Sequence, residues 1–83
     1  MYHTEKFVKA YKKIPKQVKL ATEEKEEIFR QNPFDPRLKT HKLKGELKDS
    51  YSFSVLYHWR IVFHFENNDT VILDIIGTHE IYK

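Results

Sequence analysis

The sequence predicts an α+β domain, an N-terminal helical hairpin packed on a small antiparallel sheet, with residues 1–83 forming one domain. Three observations carry this. Apolar residues recur at helical spacing through the first third of the chain, apolar and polar residues alternate strictly from residue 51, and Asn67-Asn68-Asp69 separates two apolar runs.

Phe7, Val8, Tyr11 and Ile14 share one face of a helix starting near Thr4, with lysines 6, 9, 12 and 13 on the other. Pro15 interrupts it and suits the first turn of a second helix. That helix is expected to carry Val18, Ala21, Lys25 and Ile28 on its buried stripe, with Phe29 beside it. It should stop at Asn32, because a residue before proline is pushed out of the helical region. Pro33 and Pro36 bracket an extended linker. Tyr51 to Val55 then alternates as a half-buried strand. Trp59, Ile61, Phe63 and Phe65 take one face of a second strand, and His58, Arg60, Val62 and His64 the other. Asn67 to Asp69 reads as a hairpin turn. Val71 to Ile76, apolar except for Asp74, suits a strand covered on both faces.

A chain of 83 residues buries one modest core, so its stability margin is thin. It has no cysteine, which excludes disulfides, thiolate nucleophiles and cysteine-based zinc sites. No signal-like or membrane-spanning apolar run occurs, so a soluble, cytoplasmic protein without membrane contact is expected. The formal charge is +3, but between Arg37 and Lys48 there are five basic residues and one acidic, with His41 among them. Such a stretch attracts polyanions, although a lysine-rich solvated loop has the same composition.

No P-loop, dinucleotide fingerprint, nucleophile elbow or paired-histidine zinc motif is present, and neither metal nor cofactor is expected. What remains is histidine and arginine. His41 lies in the basic run, His58 and Arg60 on the polar side of the central hairpin, and His79 beyond Gly77-Thr78. A single histidine on a strand is more often packed or solvated than catalytic. Arg60 has a structural alternative as well, an ion pair with Asp74 on the neighbouring strand. His64 reads as surface, Trp59 as core, and either Trp59 or Tyr57 could stack a base if exposed.

His41-Lys42-Leu43-Lys44-Gly45, Tyr51 to Val55, Trp59-Arg60-Ile61-Val62-Phe63 and Ile76-Gly77-Thr78-His79-Glu80-Ile81-Tyr82 together resemble the RelE/ParE toxin superfamily of type II toxin–antitoxin systems. The likeness is closest to the histidine-rich YafQ-like branch of mRNA interferases, and it covers essentially the whole chain, the Pro15 break and the Asn32-Pro33 stop included. It implies a ribosome-dependent endoribonuclease neutralised by a cognate antitoxin, with operator DNA met indirectly through the antitoxin complex. On this resemblance the catalytic set is His41, His58, Arg60, His79 and Tyr82, and Lys39, Lys42 and Lys44 hold RNA. Two strand lysines of RelE correspond here to Ser52 and Ser54, the interval from His79 to Tyr82 is one residue shorter than in many relatives, and the family's N-terminal strand is reduced.

Metal-free cleavage needs a base for the 2′-hydroxyl, an acid for the leaving 5′-oxygen, and a cation for the phosphorane. Histidine suits the first two roles and arginine the third. The sequence leaves open which of His41 and His79 is base and which acid. It also leaves open a ParE-like gyrase inhibitor, a non-catalytic relic that binds antitoxin and operator DNA, and a simple RNA-binding module.

Overall fold

Thr4 joins three parts of the molecule. It follows a two-residue strand β1 (Tyr2–His3) and caps helix α1 (Glu5–Lys13), its hydroxyl accepting from the Phe7 N–H at 2.9 Å. The same hydroxyl donates to the Asp74 carbonyl at 2.7 Å. A cap of this kind contributes about 1 kcal/mol. Ile14, before Pro15, is already extended at ψ 156, and α2 (Lys16–Gln31) starts immediately afterwards. It ends before Asn32-Pro33 as expected. The computed structural model describes residues 1–78, and no described helix is long and apolar enough to cross a membrane.

The buried stripe of α2 is not the expected one. Val18, Thr22, Glu26 and Phe29 are buried, while Ala21, Lys25 and Ile28 are half-buried. Two polar residues can turn inward because each has a partner. The Thr22 hydroxyl donates to the Val18 carbonyl at 2.8 Å. The Glu26 carboxylate meets His3 Nε2 at 3.2 Å and Arg30 at 3.9 Å. Lys25 is thereby left at the margin of the helix–sheet interface.

After a 3-10 turn at Pro36–Leu38 the chain forms β2 (His41–Lys42), β3 (Tyr51–Leu56), β4 (Trp59–Asn67) and β5 (Thr70–Thr78). The five-stranded sheet runs β1-β5-β4-β3-β2. Strands β3 to β5 pair antiparallel as expected, whereas the two-residue β2 adds an antiparallel edge beside β3, and β1 a parallel one beside β5, that the alternation did not indicate. Phe29 of α2 stacks on Phe53 and meets Phe63 edge-on, both at 4.8 Å between ring centres. Each such buried ring contributes roughly 1.5–3 kcal/mol.

Alternation in β3 holds for Phe53 and Val55 but not for Ser52, which is fully buried between His41 of β2 and Val62 of β4. A lysine there would have to be buried too, which explains why a small residue occupies the position. In β5 the register skips from Ile75 to Leu73, leaving Asp74 as the extra residue of a bulge.

Candidate anion-binding cleft at the central hairpin

Strands β3 and β4 are joined by a two-residue turn, Tyr57-His58, since Leu56 pairs with Trp59. His58 is therefore an exposed turn residue and not a member of the strand face. Tyr57 adopts the left-handed region at φ 50. Its carbonyl accepts a 2.7 Å hydrogen bond from one terminal nitrogen of Arg60, and that nitrogen also donates to the Trp59 carbonyl at 3.0 Å.

The Arg60–Asp74 ion pair, the structural alternative for Arg60, does not form. The bulge brings Asp74 to His64 instead, with Nδ1 and Oδ2 2.7 Å apart. His64 is thus a partnered, half-buried residue rather than a solvated one. Among the described residues no carboxylate lies within ion-pair distance of Arg60.

Arg60 lines a cleft of about 340 Å³ with Lys25, Arg37, Lys39, Ser54 and Tyr57. Ser54 is its cross-strand partner. Four cations thus converge on one small cavity. Asp35 pairs with Arg37 while also acting on Lys25, and Glu24 acts on Arg37. Asp35 accepts from Arg37 Nε and from a terminal nitrogen, both at 3.0 Å, and from the Arg37 backbone N–H at 2.9 Å. These bonds hold the Asp35 carboxyl down at about 2, so it stays ionised and fixes the Arg37 guanidinium. Two other clefts are less suited to an anion. Glu26 lines one, of about 310 Å³, and Asp74 the other, of about 480 Å³.

Lys39 (φ 53) and Tyr57 (φ 50) are the non-glycine residues with positive φ among those described, and both line this cleft. A left-handed L-residue costs roughly 1–2 kcal/mol, and such strain gathers at functional sites. Tyr57 is 75% exposed, so little burial offsets its strain. Tyr57→Asn should therefore raise stability by about 0.5–1 kcal/mol, a few degrees in melting temperature, because asparagine tolerates this conformation. An unchanged or lower melting temperature would show that the tyrosine ring holds the turn together.

Of the remaining expected site residues, His41 is exposed on β2 and its Nδ1 donates to the Lys39 carbonyl at 3.3 Å. Of the two neutral tautomers this bond favours the one with the lone pair on Nε2. His41 is level with Ser52 and Val62, two residues along from Ser54 and Arg60, on the same sheet face. Lys42 and Lys44 are exposed but do not line the cleft, whereas Lys39 does. His79 and Tyr82 lie outside the described residues. Trp59 is half-buried and packs on the core, so of the two candidate stacking residues Tyr57 is the exposed one. Lys25 and Arg37 were not among the expected site residues. The signal for Lys25 was its place on an otherwise apolar stripe.

No protein-family model and no curated protein matches the sequence. Solved structures do match the fold. YafQ from E. coli strain BL21(DE3) superposes with a TM-score of 0.80 at 18% identity, over 98% of this chain and 93% of that one. A chain of the RelB–RelE antitoxin–toxin complex from Methanococcus jannaschii gives 0.78 at 22% identity, over 100% and 96%. A YoeB/ParE toxin from Agrobacterium tumefaciens gives 0.79 at 15% identity, over 94% and 95%. The helical hairpin on a five-stranded mixed sheet is thus the fold of the RelE/ParE toxins.

Proposed function

We propose that this chain is the toxin of a type II toxin–antitoxin pair and cleaves mRNA on the translating ribosome in the cytoplasm. The observation that carries the reading is Arg60, held by two backbone carbonyls, without a carboxylate partner among the described residues, in a cation-lined cleft. A guanidinium so placed can hold phosphate oxygens and stabilise charge on a phosphorane.

His41 is assigned the base, because its Nδ1–H is committed to a carbonyl and its Nε2 carries the lone pair. It takes the proton of the 2′-hydroxyl, whose oxygen attacks phosphorus. The bond from phosphorus to the 5′-oxygen breaks, and that oxygen takes a proton from His79. The products are a 2′,3′-cyclic phosphate and a 5′-hydroxyl end. His58 and Tyr82 are assigned to the reaction on the family resemblance, and Lys39, Lys42 and Lys44 hold flanking phosphates. The neutralising partner is an antitoxin, through which operator DNA is also met. Antitoxin complexes are known for the RelE of Methanococcus jannaschii and for YafQ of E. coli.

With few catalytic groups of its own, the chain depends on the ribosome to orient the scissile phosphate. Expressed alone in a bacterium, it should arrest growth, with messages cut only while they are translated. Equal cleavage of naked and ribosome-bound RNA by the pure protein would overturn the ribosome-dependent part. Growth arrest with intact messages and inhibited supercoiling would replace the nuclease with a gyrase poison.

A further inference from the structure

We infer that Lys25 and Arg37, together with Lys39, form a subsite for the backbone phosphate of single-stranded RNA next to the scissile phosphate held by Arg60, with Tyr57 as the platform for the adjoining base. The inference rests on the RNA reading above and adds to it a ligand position and three residues that reading does not use, Lys25, Arg37 and Tyr57.

The four cations come from three separate parts of the chain: α2, the turn around Pro36–Leu38, and β4. Sequence proximity therefore does not account for their meeting. Asp35 acts on both Arg37 and Lys25, and Glu24 on Arg37, so the cluster is partly balanced. Lys39 and Arg60 have no ion-paired carboxylate among the described residues, and an anion in the cleft completes the balance. Asp35 leaves the second terminal nitrogen of Arg37 uncommitted while locking the plane of its guanidinium. A phosphate bound by such a fork gains from donors that are already oriented.

Tyr57 decides between the two polyanions that could fill the cleft. An acidic peptide would draw on the charges alone. A nucleotide would use the charges and also a face of the exposed ring at the cleft's rim, since base stacking on an aromatic is favourable for any base. The positive φ of Tyr57 is what a two-residue hairpin turn requires, and what the turn does here is present the ring at the cleft, 75% exposed.

The probe is a 2′-O-methyl hexauridylate, which cannot be cleaved, titrated against the full chain over a range of salt. Lys25→Ala combined with Arg37→Ala should weaken binding about tenfold or more, and should reduce the slope of log K against log salt by about 0.7 for each phosphate lost. Lys25→Arg should bind like the parent. Lys12→Ala combined with Lys13→Ala removes the same charge from exposed positions on α1 and should leave the slope unchanged. Tyr57→Ala should weaken hexauridylate about fivefold or more at unchanged slope, and inorganic phosphate not at all.

A cleft variant with the slope of the α1 control would overturn the subsite. So would oligoglutamate binding as tightly as hexauridylate, with no response to Tyr57→Ala, which would mark an acidic-peptide site. Because the probe is inert, a parent chain that binds it through these residues yet cuts no message would keep the subsite and lose the nuclease.

Discussion

Arg60→Ala is expected to lower message cleavage by about 10²–10³-fold, the usual cost of removing one preorganised donor to a developing oxyanion, with little change in melting temperature. The structure separates the catalytic effect from a folding effect. Had Arg60 been paired with Asp74, its removal would have stranded a carboxylate and unfolded the domain in imitation of a catalytic loss. Asp74 instead belongs to His64, at 2.7 Å. What Arg60→Ala releases is the carbonyls of Tyr57 and Trp59, at a hairpin tip where Tyr57 is exposed and water can replace the lost donor. Arg60→Lys keeps the charge and loses the planar fork, so it should fall between parent and Ala. A folded Arg60→Ala protein that cleaves at the parental rate would remove Arg60 from the mechanism.

The parts of the fold that follow from local rules were legible in the sequence. Both helix ends of the hairpin are dictated by prolines acting on the preceding residue, at Ile14 and Asn32. The antiparallel run of β3, β4 and β5 follows from period-two alternation and the Asn67 turn. The parts that depend on tertiary partners were not. The inward turn of Glu26 needs His3, 23 residues away. The strand β1 is two residues long and exists because β5 offers it an edge, which no pattern within Tyr2-His3 could announce.

The same division runs through the candidate site. Arg60 stood out because a guanidinium beside core aromatics needs a destination. Its actual destination was hidden, because alternation assigns His58, Arg60 and Asp74 by parity, and parity fails at a turn and at a bulge. Tyr57-His58 closes the hairpin, which removes His58 from the strand face. One extra residue in β5 hands Asp74 to His64. Lys25 and Arg37 reach the cleft through the docking of α2 and the turn after it, so their charges gave no local sign of convergence.

His41→Ala and His79→Ala are each expected to reduce cleavage by roughly 10²–10⁴-fold, the range for losing a general acid or base, without unfolding the chain. His41 is exposed on a two-residue edge strand, and its recorded side-chain bond, to the Lys39 carbonyl, is 3.3 Å long. Its loss should cost little stability. By strand spacing and rise, the backbones of His41 and Arg60 lie about 12 Å apart, which their two side chains can span with a phosphate between them. The two histidine variants are separable by substrate. Replacing the bridging 5′-oxygen with sulfur gives a leaving group that departs without a proton. It should restore cleavage to His79→Ala, which lacks the acid, and leave His41→Ala impaired, since the 2′-hydroxyl still needs its base. Rescue of His41→Ala alone would reverse the two assignments. Full activity of His41→Ala on the natural message would take His41 out of the reaction and reduce its bond to Lys39 to a strut of the edge strand.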